Sequence, residues 1–193
     1  MKHKVLFLID CQKDFMDGGK LGVANSTEKM DALAQYIRDS KGEYDAILAS
    51  VDWHPSTHCS FKPNGGIWPP HCLQHSEGAA IYEPILNAID DIGAEFHVFA
   101  KGNNEDREEY SVMKNIESNK LIHALIDGNR IGAADFAGIA GDYCVKDSVA
   151  DFHREFPNVT VTVLEPYCPS IDGGAALLEF LKKNDEILMA TTA

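Results

Sequence analysis

The chain has 193 residues, 45% of them apolar and 24% charged, an ordinary balance for a water-soluble chain able to bury one substantial core. Its formal net charge of −13 argues against nucleic acid or an anionic membrane as partner, because both attract basic surfaces. No apolar run approaches the roughly 18–20 residues that a membrane helix needs.

"VLFLID" near the start is too short for a signal-peptide core and ends on an aspartate, with no small-residue cleavage site after it. It reads as a first strand, over 4–9, and a cytoplasmic location is expected. A helix over 26–41 follows, with Met30, Leu33, Ala34 and Ile37 on one stripe and Asn25 or Ser26 as cap. Strands are predicted over 45–51 and 94–100, a helix over 119–129, a strand over 134–140 and a helix over 142–156. A strand over 158–165, a helix over 173–184 and a sixth strand over 186–190 complete the chain. Such alternation implies right-handed βαβ units: one α/β domain over 1–193, a three-layer sandwich with a six-stranded, mostly parallel sheet and helices on both faces.

Two stretches break the rhythm. Residues 52–78 hold four prolines, three glycines and four of the eight histidines, and residues 101–112 are polar and charged. Both begin after a strand, so both belong to the carboxyl edge of the sheet, where α/β proteins gather their chemistry. Asp10, Asp52 with His54, Lys101 and Cys144 are each the first reactive group beyond an apolar run, although any one of them alone would read as a loop or cap residue.

Asp52 and His54 stand two apart and face the same way in extended chain. His71 follows a Pro-rich loop. Asp, His and His suit Zn²⁺, Fe²⁺ or Mn²⁺ with positions left open, but a lone DxH is short and common. His58 and His75 read as ordinary loop histidines. The five cysteines (11, 59, 72, 144 and 168) form no CxxC pair, so buried, reactive or metal-proximal thiols are expected rather than a disulfide framework. A helix N-terminus and the Lys101 ammonium would both lower the pKa of the Cys144 thiol, and a carboxylate such as Asp10 could carry its proton. Backbone amides of Ala140 and Cys144 would suit an oxyanion.

In five segments the chain resembles the isochorismatase-like cysteine hydrolases, and within them the nicotinamidase branch. These are "FLIDCQKDF" (7–15), "SVDWHPSTHCSF" (50–61), "WPPHCLQHSEGA" (68–79), "KG" with "EYS" (101–102 and 109–111) and "GIAGDYCVKDS" (138–148). The resemblance implies a Rossmann-type strand order and a catalytic triad of Asp10, Lys101 and Cys144. It implies metal ligation by Asp52, His54 and His71, with one divalent ion, Zn²⁺ first and Fe²⁺ or Mn²⁺ as alternatives. It further implies ring contacts from Phe15 and Trp68, a pocket position at Tyr110, oxyanion donors at Ala140 and Cys144, and a cis peptide between Ile139 and Ala140. The implied reaction is hydrolysis of nicotinamide to nicotinate and ammonia, in pyridine nucleotide salvage. Pyrazinamide is a candidate second substrate, and a homo-oligomer is a candidate assembly. Lys13, where the family usually has asparagine, and Gly141, where it has threonine, depart from the pattern. They are expected to alter the pocket mouth and to loosen the oxyanion turn.

Rival readings remain at this level. A metal-independent amidohydrolase of the same fold, acting on a carbamoyl or ureido compound, would keep Asp10, Lys101 and Cys144 and need no DxH. A two-histidine, one-carboxylate oxygenase would leave the thiol and lysine without a role. A non-catalytic binding domain would have no reason to keep all three.

Overall fold

The computed structural model describes residues 3–191. β1 (His3–Ile9), α1 (Ser26–Asp39), β2 (Ala46–Asp52), α2 (Glu83–Ile92) and β3 (Glu95–Lys101) form the first half. α3 (Ile116–Gly128) leads to β4 (Ile131–Gly138), and α4 (Lys146–Glu155), β5 (Thr160–Leu164), α5 (Ala175–Lys183) and β6 (Leu188–Ala190) complete the second. The sheet order is β3-β2-β1-β4-β5-β6, and every strand pair is parallel. The expected mostly parallel sheet is therefore wholly parallel, in the doubly wound order whose switch point lies between β1 and β4.

The pattern of β1 explains the layering. Val5, Phe7 and Ile9 pack into one core with Ile122 and Ile126 of α3, Val149 and Phe152 of α4, and Leu177 and Leu181 of α5. Leu6 and Leu8 point into the other, with Met30, Leu33 and Ile37 of α1 and Ile85 and Ile89 of α2. Alternate residues of a strand face opposite sides, so a strand buried on both must be apolar throughout. α2 has no counterpart among the predicted elements, although its buried Ile85, Ala88 and Ile89 carry the helical i, i+3, i+4 spacing in a short segment.

Three boundaries matter for the site. Asp52 and Lys101 are the last residues of β2 and β3, not loop residues after them. β4 ends at Gly138, two residues sooner than expected. The helix expected over 142–156 is in two parts, a single π-helical turn over Gly141–Val145 and then α4. Cys144 thus sits in a π turn, a form enriched at functional sites. The ends of the expected 1–193 domain, Met1, Lys2, Thr192 and Ala193, lie outside the described residues.

Candidate active site

Strand register assembles the first cluster. Ile9 pairs with Ser50 and Asp52 pairs with Lys101, and paired residues of neighbouring strands present side chains on the same face. Lys101 Nζ consequently lies 2.5 Å from Asp52 Oδ1 and 2.9 Å from Asp10 Oδ2. It also stands 3.5 Å from Cys144 Sγ. All four residues are buried. Removing one partner from such a cluster leaves an uncompensated charge, at a cost of about 3–5 kcal/mol.

Asp10 directly follows β1 at φ 48°, a left-handed conformation that aspartate tolerates better than most residues. Its Oδ1 accepts a hydrogen bond of 2.7 Å from Ser50 Oγ. Its Oδ2 faces Lys101 but receives no well-directed hydrogen bond. Burial raises the Asp10 carboxyl above its ordinary range, with Lys101 opposing and Asp52 reinforcing. Burial acts the same way on Asp52, but Lys101 and then His54 outweigh it and hold Asp52 well below that range. Burial alone would discharge Lys101; the two carboxylates keep it charged.

Cys144 departs from expectation. Burial pushes its thiol well up, and although Lys101 pulls it down, Asp10 and Asp52 push up as well. The lysine charge is already shared between two carboxylates, so it offsets little of the cost of a buried thiolate.

The second cluster shares Asp52. Its Oδ2 lies 3.4 Å from His54 Nε2 and 3.8 Å from His71 Nε2. Two ligands of a tetrahedral zinc, each about 2.0–2.1 Å from the ion, are roughly 3.3–3.4 Å apart, so the set is near the size of a metal site. The tautomers agree with that use. His54 Nδ1 is 2.8 Å from the Gly102 carbonyl and His71 Nδ1 is 2.8 Å from the Pro69 carbonyl. Each ring therefore donates from Nδ1 to a backbone carbonyl and presents Nε2 on the Asp52 side, the atom that a metal would take. Asp10, Asp52 and Cys144 also bring donor atoms within 4.8 Å of one another, but the Lys101 ammonium already supplies the cation there. His58 is engaged elsewhere, with Ser60 Oγ at 2.7 Å and the Arg107 carbonyl at 3.1 Å. His75 packs edge-on against Trp53.

Several supporting residues carried no sequence signal beyond their place in a motif. Gln12 accepts from the Asp52 N–H at 2.7 Å and donates to the Asp52 and Ala79 carbonyls, each at 2.8 Å, which pins the end of β2. Asp14 accepts from the Cys72 N–H at 2.7 Å and so fixes the loop that carries His71. Burial pushes the Cys72 thiol well up, leaving it neutral. Glu109 is buried; its Oε2 accepts from the Gly102 N–H and Asn115 Nδ2, each at 2.9 Å, and its Oε1 from Arg107. Gly102 sits at φ +64°, and a Cβ there would lie 2.3 Å from His54 Cε1. The polar 101–112 stretch is thus partly a brace for the His54 ring.

Both clusters open on one cleft, lined by Phe15, Trp68, Tyr110, Ala140 and Cys144 among others. Trp68 Nε1 donates to Tyr110 Oη at 3.0 Å, and both rings pack against Tyr143. Tyr143, next to the thiol in sequence, was not among the predicted site residues, nor were Leu21, Val23 and Ile171. The Ile139–Ala140 peptide is cis, and the Ala140 N–H has no acceptor among the described residues. Gly141 does not loosen the turn. Its N–H donates to the Pro169 carbonyl at 2.9 Å, and a Cβ would lie 2.3 Å from Ser170 Oγ, so glycine permits close packing there. Lys13 turns away to Glu77, at 3.1 Å, and does not line the cleft.

No helix among the described residues is long and apolar enough to cross a membrane. No protein-family model matches the chain. A nicotinamidase of Escherichia coli (strain K12) is 32% identical over 170 residues, covering 78% of this chain and 76% of its own. A nicotinamidase/pyrazinamidase of Mycobacterium tuberculosis is 30% identical over 184 residues, covering 93% and 94%. A solved pyrazinamidase of Pyrococcus horikoshii, in complex with zinc, has a TM-score of 0.80 at 28% identity, covering 98% of this chain and 99% of that one.

Proposed function

Because this chain belongs to the nicotinamidase family, within the isochorismatase-like hydrolases, we propose that it hydrolyses nicotinamide through a thioester on Cys144. The observation that carries this reading is Lys101, whose ammonium contacts Asp10, Asp52 and Cys144 at once. It ties the thiol and its base to a His-His-Asp set in one cleft.

Cys144 Sγ attacks the carboxamide carbon as its proton passes to Asp10, whose raised pKa suits a group that must take up a proton and release it again. The oxyanion is received by the N–H groups of Ala140 and Cys144. The C–N bond breaks as Asp10 returns the proton to the leaving nitrogen, and ammonia departs. Water then gives a proton to Asp10 and adds to the thioester carbon. Collapse expels the sulfur, which recovers the proton, and nicotinate is left. Lys101 keeps the carboxylate pair from repelling the developing negative charge. Phe15 and Trp68 hold the pyridine ring, and Tyr110 fixes Trp68 through its hydroxyl.

Asp52, His54 and His71 would hold one divalent ion, which supplies a Lewis-acidic position that orients a pyridine nitrogen. Zinc is the first choice, given the donor set and the zinc-bound relative. Pyrazinamide, also a ring amide with such a nitrogen, is a second substrate. The reaction would serve pyridine nucleotide salvage in the cytoplasm.

Ammonia release from nicotinamide, measured with and without prior metal chelation, tests the reading. Turnover lost with the metal and restored by its return supports it. Turnover that survives complete metal removal, with metal content checked by elemental analysis, would favour a metal-independent amidohydrolase acting on carbamoyl or ureido compounds.

A further inference from the structure

We propose that Glu108 is a charge selector at the mouth of the cleft, tolerating a neutral amide and disfavouring the anionic carboxylate that hydrolysis produces. The inference rests on the reading of the chain as a nicotinamide hydrolase and names a specificity-determining residue for that reaction.

Glu108 lines the cleft together with Tyr110, Tyr143 and Cys144. It also lines an adjoining surface groove with Tyr110, Lys114, Asp147 and Asp151, so it stands where the two meet, and its charge acts on Tyr110, which lines both. The other carboxylate in the cleft lining, Asp52, is balanced by Lys101 at 2.5 Å. Glu108 enters no ion pair among the described residues; its Oε1 accepts only the Glu109 N–H, at 3.0 Å. Nearby cations are committed elsewhere. Arg107 pairs with Glu109, Lys114 with Asp151 at 3.3 Å and Lys146 with Asp147 at 3.1 Å. The rim therefore carries one uncompensated negative charge, on a chain of net charge −13.

The reaction changes the charge of its ligand. A neutral carboxamide enters, and a carboxylate that is ionised at neutral pH must leave. A fixed negative charge at the exit costs the substrate nothing in net Coulomb energy, but it repels the product. Across a solvated cleft, two like unit charges are worth roughly a three- to tenfold change in affinity.

The test uses the metal-loaded enzyme and its Glu108→Gln variant, a near-isosteric change at a half-buried position. The quantity read is the ratio of the nicotinate inhibition constant to the nicotinamide KM at low ionic strength. The expected result is a three- to tenfold fall of this ratio in the variant. In the parent enzyme the same ratio should fall as salt is added, and in the variant it should fall less, since only the remaining net charge is screened. A ratio equal in both proteins, whether the two constants stay fixed or move together, overturns the proposal. Failure of the parent enzyme to release ammonia from nicotinamide would overturn the hydrolase reading instead, so the two failures are distinct.

Discussion

Lys101 and Asp52 are register partners on adjacent parallel strands, and their charged atoms meet at 2.5 Å. Through this contact the ammonium beside the thiol is tied to the carboxylate that faces two imidazoles. One consequence is electrostatic. A lysine engaged by two carboxylates has little stabilisation left for a thiolate, and the Cys144 thiol is held well above its ordinary range by burial and by Asp10 and Asp52.

Cys144→Ala should abolish turnover and leave metal content unchanged, because the thiol is not part of the Asp52, His54 and His71 set. Normal turnover in this variant would remove Cys144 as the nucleophile.

His54→Ala should strip the bound ion and raise KM sharply, since it takes one of three nitrogen or oxygen donors away. Elemental analysis reads the outcome; an undiminished metal stoichiometry would exclude the ligand set.

Ser50→Ala removes the 2.7 Å hydrogen bond to Asp10 Oδ1. That bond favours the ionised carboxylate, so its loss should raise the Asp10 pKa further. A base must be ionised to act, and the acid limb of the kcat/KM profile should therefore move to higher pH. The neutral-pH rate should fall by about tenfold. A pH profile that superimposes on the parent's would show that Ser50 does not tune Asp10.

Gly102→Ala places a methyl where His54 Cε1 lies 2.3 Å away, on a backbone at φ +64°. The left-handed conformation alone costs a non-glycine residue about 1–2 kcal/mol. The variant should lose melting temperature and bind metal more weakly, because the displaced ring no longer meets the Gly102 carbonyl. Metal titration by calorimetry measures the second effect separately from the first.

Glu109→Gln should destabilise the fold in a pH-dependent way. Burial pushes the Glu109 carboxyl up, but hydrogen bonds from Asn115 and Arg107 and from the Gly102 N–H outweigh this and lower its pKa. A lowered folded-state pKa adds stability above the ordinary glutamate range, and that stability is lost as pH falls through the lowered value. The gap in melting temperature between parent and variant should thus be widest near neutrality and close in acid, below about pH 4. A gap that does not change with pH would mean that the charge of Glu109 is immaterial.

The sequence by itself determined the alternation of strand and helix, the burial of β1 on both faces, and the appearance of Asp10, Asp52, Lys101 and Cys144 at strand ends. Hydrophobic periodicity is a local property, and the first polar residue after an apolar run is visible without knowing its neighbours. The tertiary structure alone decided what those residues do to one another. Ser50 meets Asp10 across 40 positions and Glu109 reaches the N–H of Gly102 across 7, and neither contact leaves a pattern in composition or spacing. The same holds for Gly141, whose closeness to Ser170 is a matter of packing. The sign of the Cys144 shift was out of reach for a stronger reason. A helix start and a nearby lysine predict a lowered thiol pKa, and the opposite follows once the thiol is buried and that lysine is shared by Asp10 and Asp52. Electrostatic balance depends on distances and burial, and only the assembled strand ends set those.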